Sequence, residues 1–280
     1  MARSDSGIMK RWTDDLAATL ATIVIVIALA LLVVPVLMTF VGSFDGRNFL
    51  GPFPPKSLSL RWYDKLFTND RYLIGLQTTL MVTIPAALIA TTVGVATAVA
   101  LDRARFYGRE AIAALFLSPV IVPGVVIGFS LLMFLAMLGI SDGLIRLLMG
   151  HVLLSIPYTV RTTLSGLVGI RRSFNEAALV LGANEWRAFW TVTFPLAKTG
   201  VISGFLIAIA FSLDDVAISA FLGDSTHYTF SISLLSEMRA NFDLTTAAAS
   251  VLLIAFTVVL IFVIDRLVGI DKVFGIGVHR

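Results

Sequence analysis

The chain has 280 residues, of which 58% are hydrophobic and 14% charged, against roughly 25% charged residues in an ordinary soluble domain. That composition excludes a water-soluble globular protein and is that of an integral membrane protein. The formal net charge of +3 describes a membrane surface and gives no nucleic-acid signal, and the absence of cysteine excludes disulfides, thiolate metal sites and cysteine nucleophiles.

A hydrocarbon core needs about 20 apolar residues per crossing helix. The stretches Leu16 to Val41, Leu73 to Leu101, Ala111 to Gly139, Leu144 to Ile170, Leu196 to Leu222 and Ala247 to Val268 all qualify. They predict an all-α membrane protein with six transmembrane helices. Lys10 and Arg11 precede the first stretch in the manner of a signal peptide, but its apolar run is longer than the 7–15 residues of a signal h-region, so it reads as a retained helix. The organisation is then an N-terminal helix with its outer loop, residues 1–71, followed by a membrane core, residues 72–280.

The loop Gly42 to Tyr72 begins with the turn residues Gly46, Gly51, Pro52, Pro54 and Pro55, and continues into an amphipathic pattern through Leu58, Leu60, Trp62, Tyr63, Leu66 and Phe67. This predicts an outer interfacial helix with an anchoring role. In the third span, Ser118-Pro119 to Pro123-Gly124 removes two backbone donors within a few residues and marks a candidate bend near a pathway. Arg161, near the inner end of the fourth span, reads as a side chain snorkelling to the interface, with a gating ion pair as the other reading. His151, His227 and His279 form no metal spacing and read as surface or helix-end residues.

Lys and Arg set the orientation. Arg3, Lys10, Arg11, Arg103, Arg105, Arg109, Arg171, Arg172, Arg187, Lys198, Arg266, Lys272 and Arg280 fall on one side, and most of the others lie within the single loop Gly42 to Tyr72. Both termini are therefore expected in the cytosol.

Between the fourth and fifth spans lies Ser173 to Lys198, SFNEAALVLGANEWRAFWTVTFPLAK, too polar to cross a bilayer. Ser173 with Glu176 three residues later reads as a capping box. A short helix should start there, run through Ala177, Ala178 and Leu181, and end at Gly182 in the left-handed conformation. Asn184 then reads as the N-cap of a second helix, lying at headgroup level and carrying Trp186, Phe189, Trp190 and Thr193.

In the fifth span Asp214 and Asp215 interrupt an apolar run. A carboxylate at the centre of a membrane helix costs about 2.5–3.5 kcal/mol. Either these two face a water-filled path for a cationic solute, or they cap the helix where it reaches the outer surface.

Two strings resemble a known family. Glu176-Ala177-Ala178 followed by Gly182-Ala183, with Phe189 and Val192 ahead of Pro195, resembles the EAA loop of ABC-importer permeases. Phe211 to Ser219, FSLDDVAIS, is similar to the corresponding segment in the C-type permease of spermidine/putrescine importers, and the likeness extends to Pro157-Tyr158 and to the six-span layout. The resemblance implies the type I ABC importer permease fold of a prokaryotic inner membrane, with a cytosolic coupling helix that seats on an ATPase. Glu176, Ala177, Ala178, Leu181, Gly182 and Ala183 would then make the ATPase contact, and Asp214 and Asp215 would line the substrate path. It also implies the partners: cytosolic ABC ATPase subunits in two copies, a second homologous permease, an extracytoplasmic binding protein and membrane lipid.

No Walker A string occurs, so the chain is expected to be no enzyme by itself and to bind no cofactor, with ATP and Mg²⁺ held by the partner ATPase. Phe230-Ser231 and Asp243-Leu244 stand where polyamine permeases tend to have prolines, and Val216 replaces an aromatic. These departures count against carrying over the exact substrate; the resemblance keeps polyamines as the leading class, with amino-acid-derived or opine-like compounds, aminophosphonates and other small cationic or zwitterionic solutes close behind. The rival class is a secondary carrier or channel, which has broken helices and midplane carboxylates but no use for a docking helix. A membrane enzyme would need a catalytic constellation, and neither HExxH nor GxSxG is present.

Overall fold

Backbone surrounded by hydrocarbon must close its hydrogen bonds within the protein, and this chain does so in helices. The computed structural model describes residues 5–48, 51–103, 107–241 and 243–268. Arg3, Arg105, Lys272, His279 and Arg280 lie outside the described residues.

The long helices are α1 (Asp5–Gly42), α3 (Asp70–Arg103), α6 (Gly143–Leu167), α9 (Phe194–Asp214) and α12 (Thr245–Val268), with the short α2 (Arg61–Thr68) between the first two. Among the described residues five helices are long and apolar enough to cross a membrane, and there are six crossings if the bent pair α4 (Arg109–Leu117) and α5 (Gly124–Met137) counts as one. The span Ala111 to Gly139 is bent at the candidate position: its two halves meet at 105°. Pro119 sits in a single 3₁₀ turn, Ser118–Val120, and Pro123 holds an extended backbone (φ −55°, ψ 131°) just before α5. Two missing donors so close together stop the helix, and the second half starts afresh in a new direction.

The chain forms two compact units. One comprises residues 1–66 with Asp243–Leu252. In it none of the described side chains of the α1 span is buried, and the loop after α1 is knit by polar contacts. The Trp62 indole donates to the Asp45 carbonyl at 2.6 Å, Arg47 Nε donates to both Asp45 carboxylate oxygens at 2.9 Å, and Ser43 and Tyr63 share a hydrogen bond of 2.8 Å. The apolar face of α2 buries Trp62 and Leu66.

The other unit comprises residues 67–242 and 253–280, and its centre is the bundle of α3, α6 and α9. Small residues let these helices approach. A Cβ added to Gly200 would lie 2.5 Å from the Thr162 carbonyl oxygen and 2.9 Å from Gly166 Cα, and Thr162 faces Gly204 in the next turn. Packing against this bundle, α11 (Phe230–Ala240) runs beside the first half of α3, where Thr79 Oγ1 accepts from Phe230 N–H at 2.8 Å and Arg71 pairs with Glu237 at 3.3 Å.

The short helix α10 (Ser219–Leu222) lies against α5 and α6, where Gly128 and Gly150 leave room for Ile218 and Leu222. Asp224 closes the start of α6 by accepting from Gly143 N–H at 2.8 Å. Burial pushes the Asp224 carboxyl upward, but hydrogen bonds from Thr226, His227 and Gly143 outweigh it and hold the group well below the usual carboxylate range.

The α6–α9 seam gives a stability test. Gly200→Val places two methyl groups against backbone atoms that have no rotamer to escape into, and is expected to cost about 1–3 kcal/mol. Thermal unfolding of the detergent-solubilised protein should show a lowered midpoint. Gly204→Ala, facing a hydroxyl side chain at 2.5 Å, should lower it less. Equal midpoints for Gly200→Val and the unmutated chain would contradict this packing.

Candidate functional site

The segment between α6 and α9 folds locally, and most of its shape follows from a few residues. The helix α7 (Arg172–Val180) begins after Arg171, whose backbone is extended (φ −64°, ψ 131°) and which gives no side-chain cap. The expected capping box is therefore corrected: Ser173 is already inside the first turn. The tight turn at Gly169 (φ 91°) fixes where the chain leaves α6, and so fixes the helix start upstream of Ser173.

The end of α7 is as expected. Gly182 has φ 90°, Ala183 N–H donates to the Ala178 carbonyl and Gly182 N–H to the Leu179 carbonyl, both at 3.0 Å, which is the paired closure of a Schellman motif. Asn184 then caps the next helix by accepting from Arg187 N–H at 2.8 Å.

The second helix departs from expectation. Instead of an independent interfacial helix, α8 (Glu185–Ala188) passes through a π-helical turn, Phe189–Thr193, straight into α9. Pro195 explains the widened turn: it has no N–H to return, and its ring clashes with the carbonyl four residues earlier unless the helix opens by a residue. Trp186, Phe189, Trp190 and Phe194 pack against one another, with Trp190 at 5.0 Å from both phenylalanine rings.

Of the expected contact residues, Glu176, Ala177, Leu181 and Gly182 are exposed, while Ala178 and Ala183 are half-buried. Val180 and Leu181 each keep 87% of their surface. Two adjacent apolar side chains thus stand exposed at the tip of a polar loop. Behind the tip, Arg103 at the end of α3 donates to Asn175 Oδ1 (3.3 Å) and to the Thr193 hydroxyl, and pairs with Glu185 (3.4 Å). Arg172 donates to the Asp102 carbonyl at 2.9 Å. A cavity of about 250 Å³ lies between these groups, lined in part by Glu176 and Arg171.

The second site is a break in the fifth span. The expected helix Leu196 to Leu222 is corrected: it ends at Asp214, Asp215 turns extended (φ −65°, ψ 127°), and helix resumes only at α10. The Asp215 carboxylate accepts from Ser219 N–H at 2.8 Å and Ser219 Oγ–H at 2.9 Å, so it begins the new helix as it leaves the old one.

His151 is wholly buried in α6 and bridges the break. Its Nδ1 lies 2.7 Å from Ser212 Oγ, its Nε2 lies 3.0 Å from Ser219 Oγ and 4.0 Å from Asp215 Oδ2, and Thr83 of α3 reaches Ser212 at 2.9 Å. The reading of His151 as a surface or helix-end residue is thereby overturned. At 1.5 Å per residue, His151 is about 12 Å along α6 from Gly143 and Thr83 about 20 Å along α3 from Asp70. The break therefore lies several turns inside the helical bundle and not at its end.

The two aspartates differ. Asp215 is turned into the cluster, with its side chain 8% exposed. Asp214 is exposed and lines a cavity of about 440 Å³ with Phe211 of α9 and Leu253, Ile254, Thr257 and Val258 of α12. Phe211 in turn stacks on Tyr158 at 4.0 Å between centroids. Arg161 is exposed, and His227 is a half-buried member of the Asp224 turn.

Comparison with known proteins places this geometry. The profile of the family described as binding-protein-dependent transport system inner membrane component matches residues 90–270. The spermidine/putrescine transport system permease protein PotC of Haemophilus influenzae is 31% identical over 232 residues, 83% of this chain and 90% of that protein. The putrescine transport system permease protein PotI of Escherichia coli is 29% identical over 224 residues, 78% of this chain and 79% of that protein. In fold, the chain is similar to the crystal structure of a bacterial ABC transporter involved in the import of alginate, with a TM-score of 0.69 at 19% identity over 95% of this chain and 98% of the other. Between an importer subunit and an independent carrier or channel, these likenesses select the importer. The chain belongs to the family of binding-protein-dependent transport system inner membrane components, and it is an ABC importer permease of the type I fold.

Proposed function

We propose that this permease moves a small cationic or zwitterionic amine, with polyamines as the leading class, and that it works beside a second, homologous permease. The observation that carries the reading is the α9 break, where an exposed Asp214 carboxylate shares a cavity with the Phe211 ring. A carboxylate and an aromatic face together suit an ammonium group, one by charge and the other by its quadrupole. The names of the polyamine relatives support the same class. Two cytosolic ATPase subunits hold ATP and Mg²⁺, an extracytoplasmic binding protein delivers solute, and this chain has no nucleotide site of its own.

Glu176, Ala177, Ala178, Leu181, Gly182 and Ala183 make the ATPase contact. ATP-driven closure of the ATPases draws the docking loops together and turns the spans outward, a two-state change biased by nucleotide. The chain sits in a prokaryotic inner membrane with both termini and the 173–198 loop in the cytosol. Because the chain has no cysteine, single cysteines read out this topology: an impermeant thiol reagent applied to intact cells should label Thr226→Cys and leave Ser173→Cys unlabelled. The reverse pattern overturns the orientation.

Coupling is tested at the loop. Gly182→Val puts a β-branched residue at φ 90°, at a cost of about 1–3 kcal/mol. Ala178→Asp sets an unpaired charge in the ATPase interface. Both variants should insert normally and lose ATP-driven uptake in vesicles, and the ATPase should co-purify poorly or hydrolyse without transport. Wild-type uptake at verified expression removes the loop from this role.

The aspartates should separate. Asp214→Asn is expected to lower uptake of a cationic solute about tenfold or more with an unchanged unfolding midpoint, because it removes charge from a cavity wall and breaks no hydrogen bond needed for folding. Asp215→Asn should lower both, since it weakens the cap on Ser219. Unchanged polyamine uptake by Asp214→Asn, in a complex that transports polyamine, excludes the carboxylate from the path.

A further inference from the structure

The docking loop and the membrane bundle are joined by backbone at only two places, the turn after α6 and the π-helical turn before α9. A side-chain joint also exists, and it converges on one residue. The guanidinium of Arg103, at the last position of α3, reaches three separate pieces of the 173–198 segment: Asn175 in α7, Glu185 at the start of α8, and Thr193 at the end of the π turn. Thr193 is 4% exposed and Asn175 half-buried, so two of the three partners are shielded from competing water. Arg172 and Asp102 add a parallel tie between α7 and α3 through a backbone carbonyl.

We infer that Arg103 is the positioning residue that carries displacement of the docking loop into α3 and the base of α9. This rests on the reading of the loop as the ATPase contact. A planar fork with several donors holds three acceptors in fixed relative positions, which a lysine ammonium on a flexible stem does not. The π turn matters to the inference because single π turns interrupt otherwise regular helices and are frequent at functional sites. Here Arg103 grips the last residue of that turn, so a pull on α7 reaches α9 across the joint instead of being absorbed within it. Without the fork, α7 would shift on its two backbone tethers while α3 stayed behind.

The test uses the whole complex: this permease, its partner permease, the ATPase and the binding protein, reconstituted in liposomes with spermidine or putrescine as probe. The variants are Arg103→Lys, which keeps the charge and loses the fork, and Thr193→Val, which keeps the shape and loses the acceptor. Both are expected to retain co-purified ATPase and basal ATP hydrolysis. The amount of solute moved per ATP hydrolysed should fall about tenfold, the scale set by losing one hydrogen bond to a charged group. The double variant should be no worse than the more affected single, because both changes cut the same joint.

A wild-type ratio of transport to hydrolysis in both single variants overturns the proposal, as does a double variant whose losses multiply. If Arg103→Lys fails to assemble, Thr193→Val decides alone, and normal coupling there refutes the joint. Gly182→Val, run in parallel, separates the two ideas. If it leaves uptake intact, the docking reading fails, whereas if it abolishes uptake while the Arg103 and Thr193 variants couple normally, only the joint fails.

Discussion

The arrangement depends on one constraint: a helix that stops inside hydrocarbon exposes backbone groups that no solvent will satisfy. The fifth span stops at Asp214, several turns inside the bundle, and the surrounding structure answers that stop. Asp215 takes the first free donors of α10, Ser219 returns its hydroxyl to the same carboxylate, and His151 links Ser219 to Ser212 on the other side of the gap. An uncompensated break would be costly, whereas a fully bonded one fixes its members in place. The exposed Asp214 is thus held at the rim of a cavity by a neighbour that does the structural work.

At the other end of the bundle water is available, and different devices suffice. The α7 helix ends on a glycine and α8 begins on an asparagine, which needs only local hydrogen bonds. The apolar tip residues Val180 and Leu181 then remain uncovered.

Much of this was legible in the sequence wherever the cause is local. Gly182 and Asn184 announce their turn and cap by residue type, and the long apolar runs announce the spans, apart from the end of the fifth, to within a few residues. The start of α7 was misplaced because Ser173 and Glu176 satisfy a pattern that the upstream turn at Gly169 overrides. His151 was misread because a lone histidine carries little information by itself. The available signal was its company: His151, Ser155, Thr159 and Thr163 recur every fourth residue, and all four are buried, so α6 presents one polar stripe to the bundle. The Arg103 contacts span 72 to 90 residues of chain, and no periodicity within a segment encodes them. The halt of the fifth helix at Asp214 was hidden by the apolar residues that continue past it.

The glycine seam between α6 and α9 has a mechanical corollary. Where backbone lies on backbone, with Gly200 against Thr162 and Gly166, there is no layer of long side chains to change rotamer and let one helix slide along the other. These two helices therefore turn as a single strut. The cavity beside Asp214 is lined by α9 and α12, so a change in its shape has to come from the α12 wall. Access to the carboxylate is in that sense a matter of one wall moving past a fixed post.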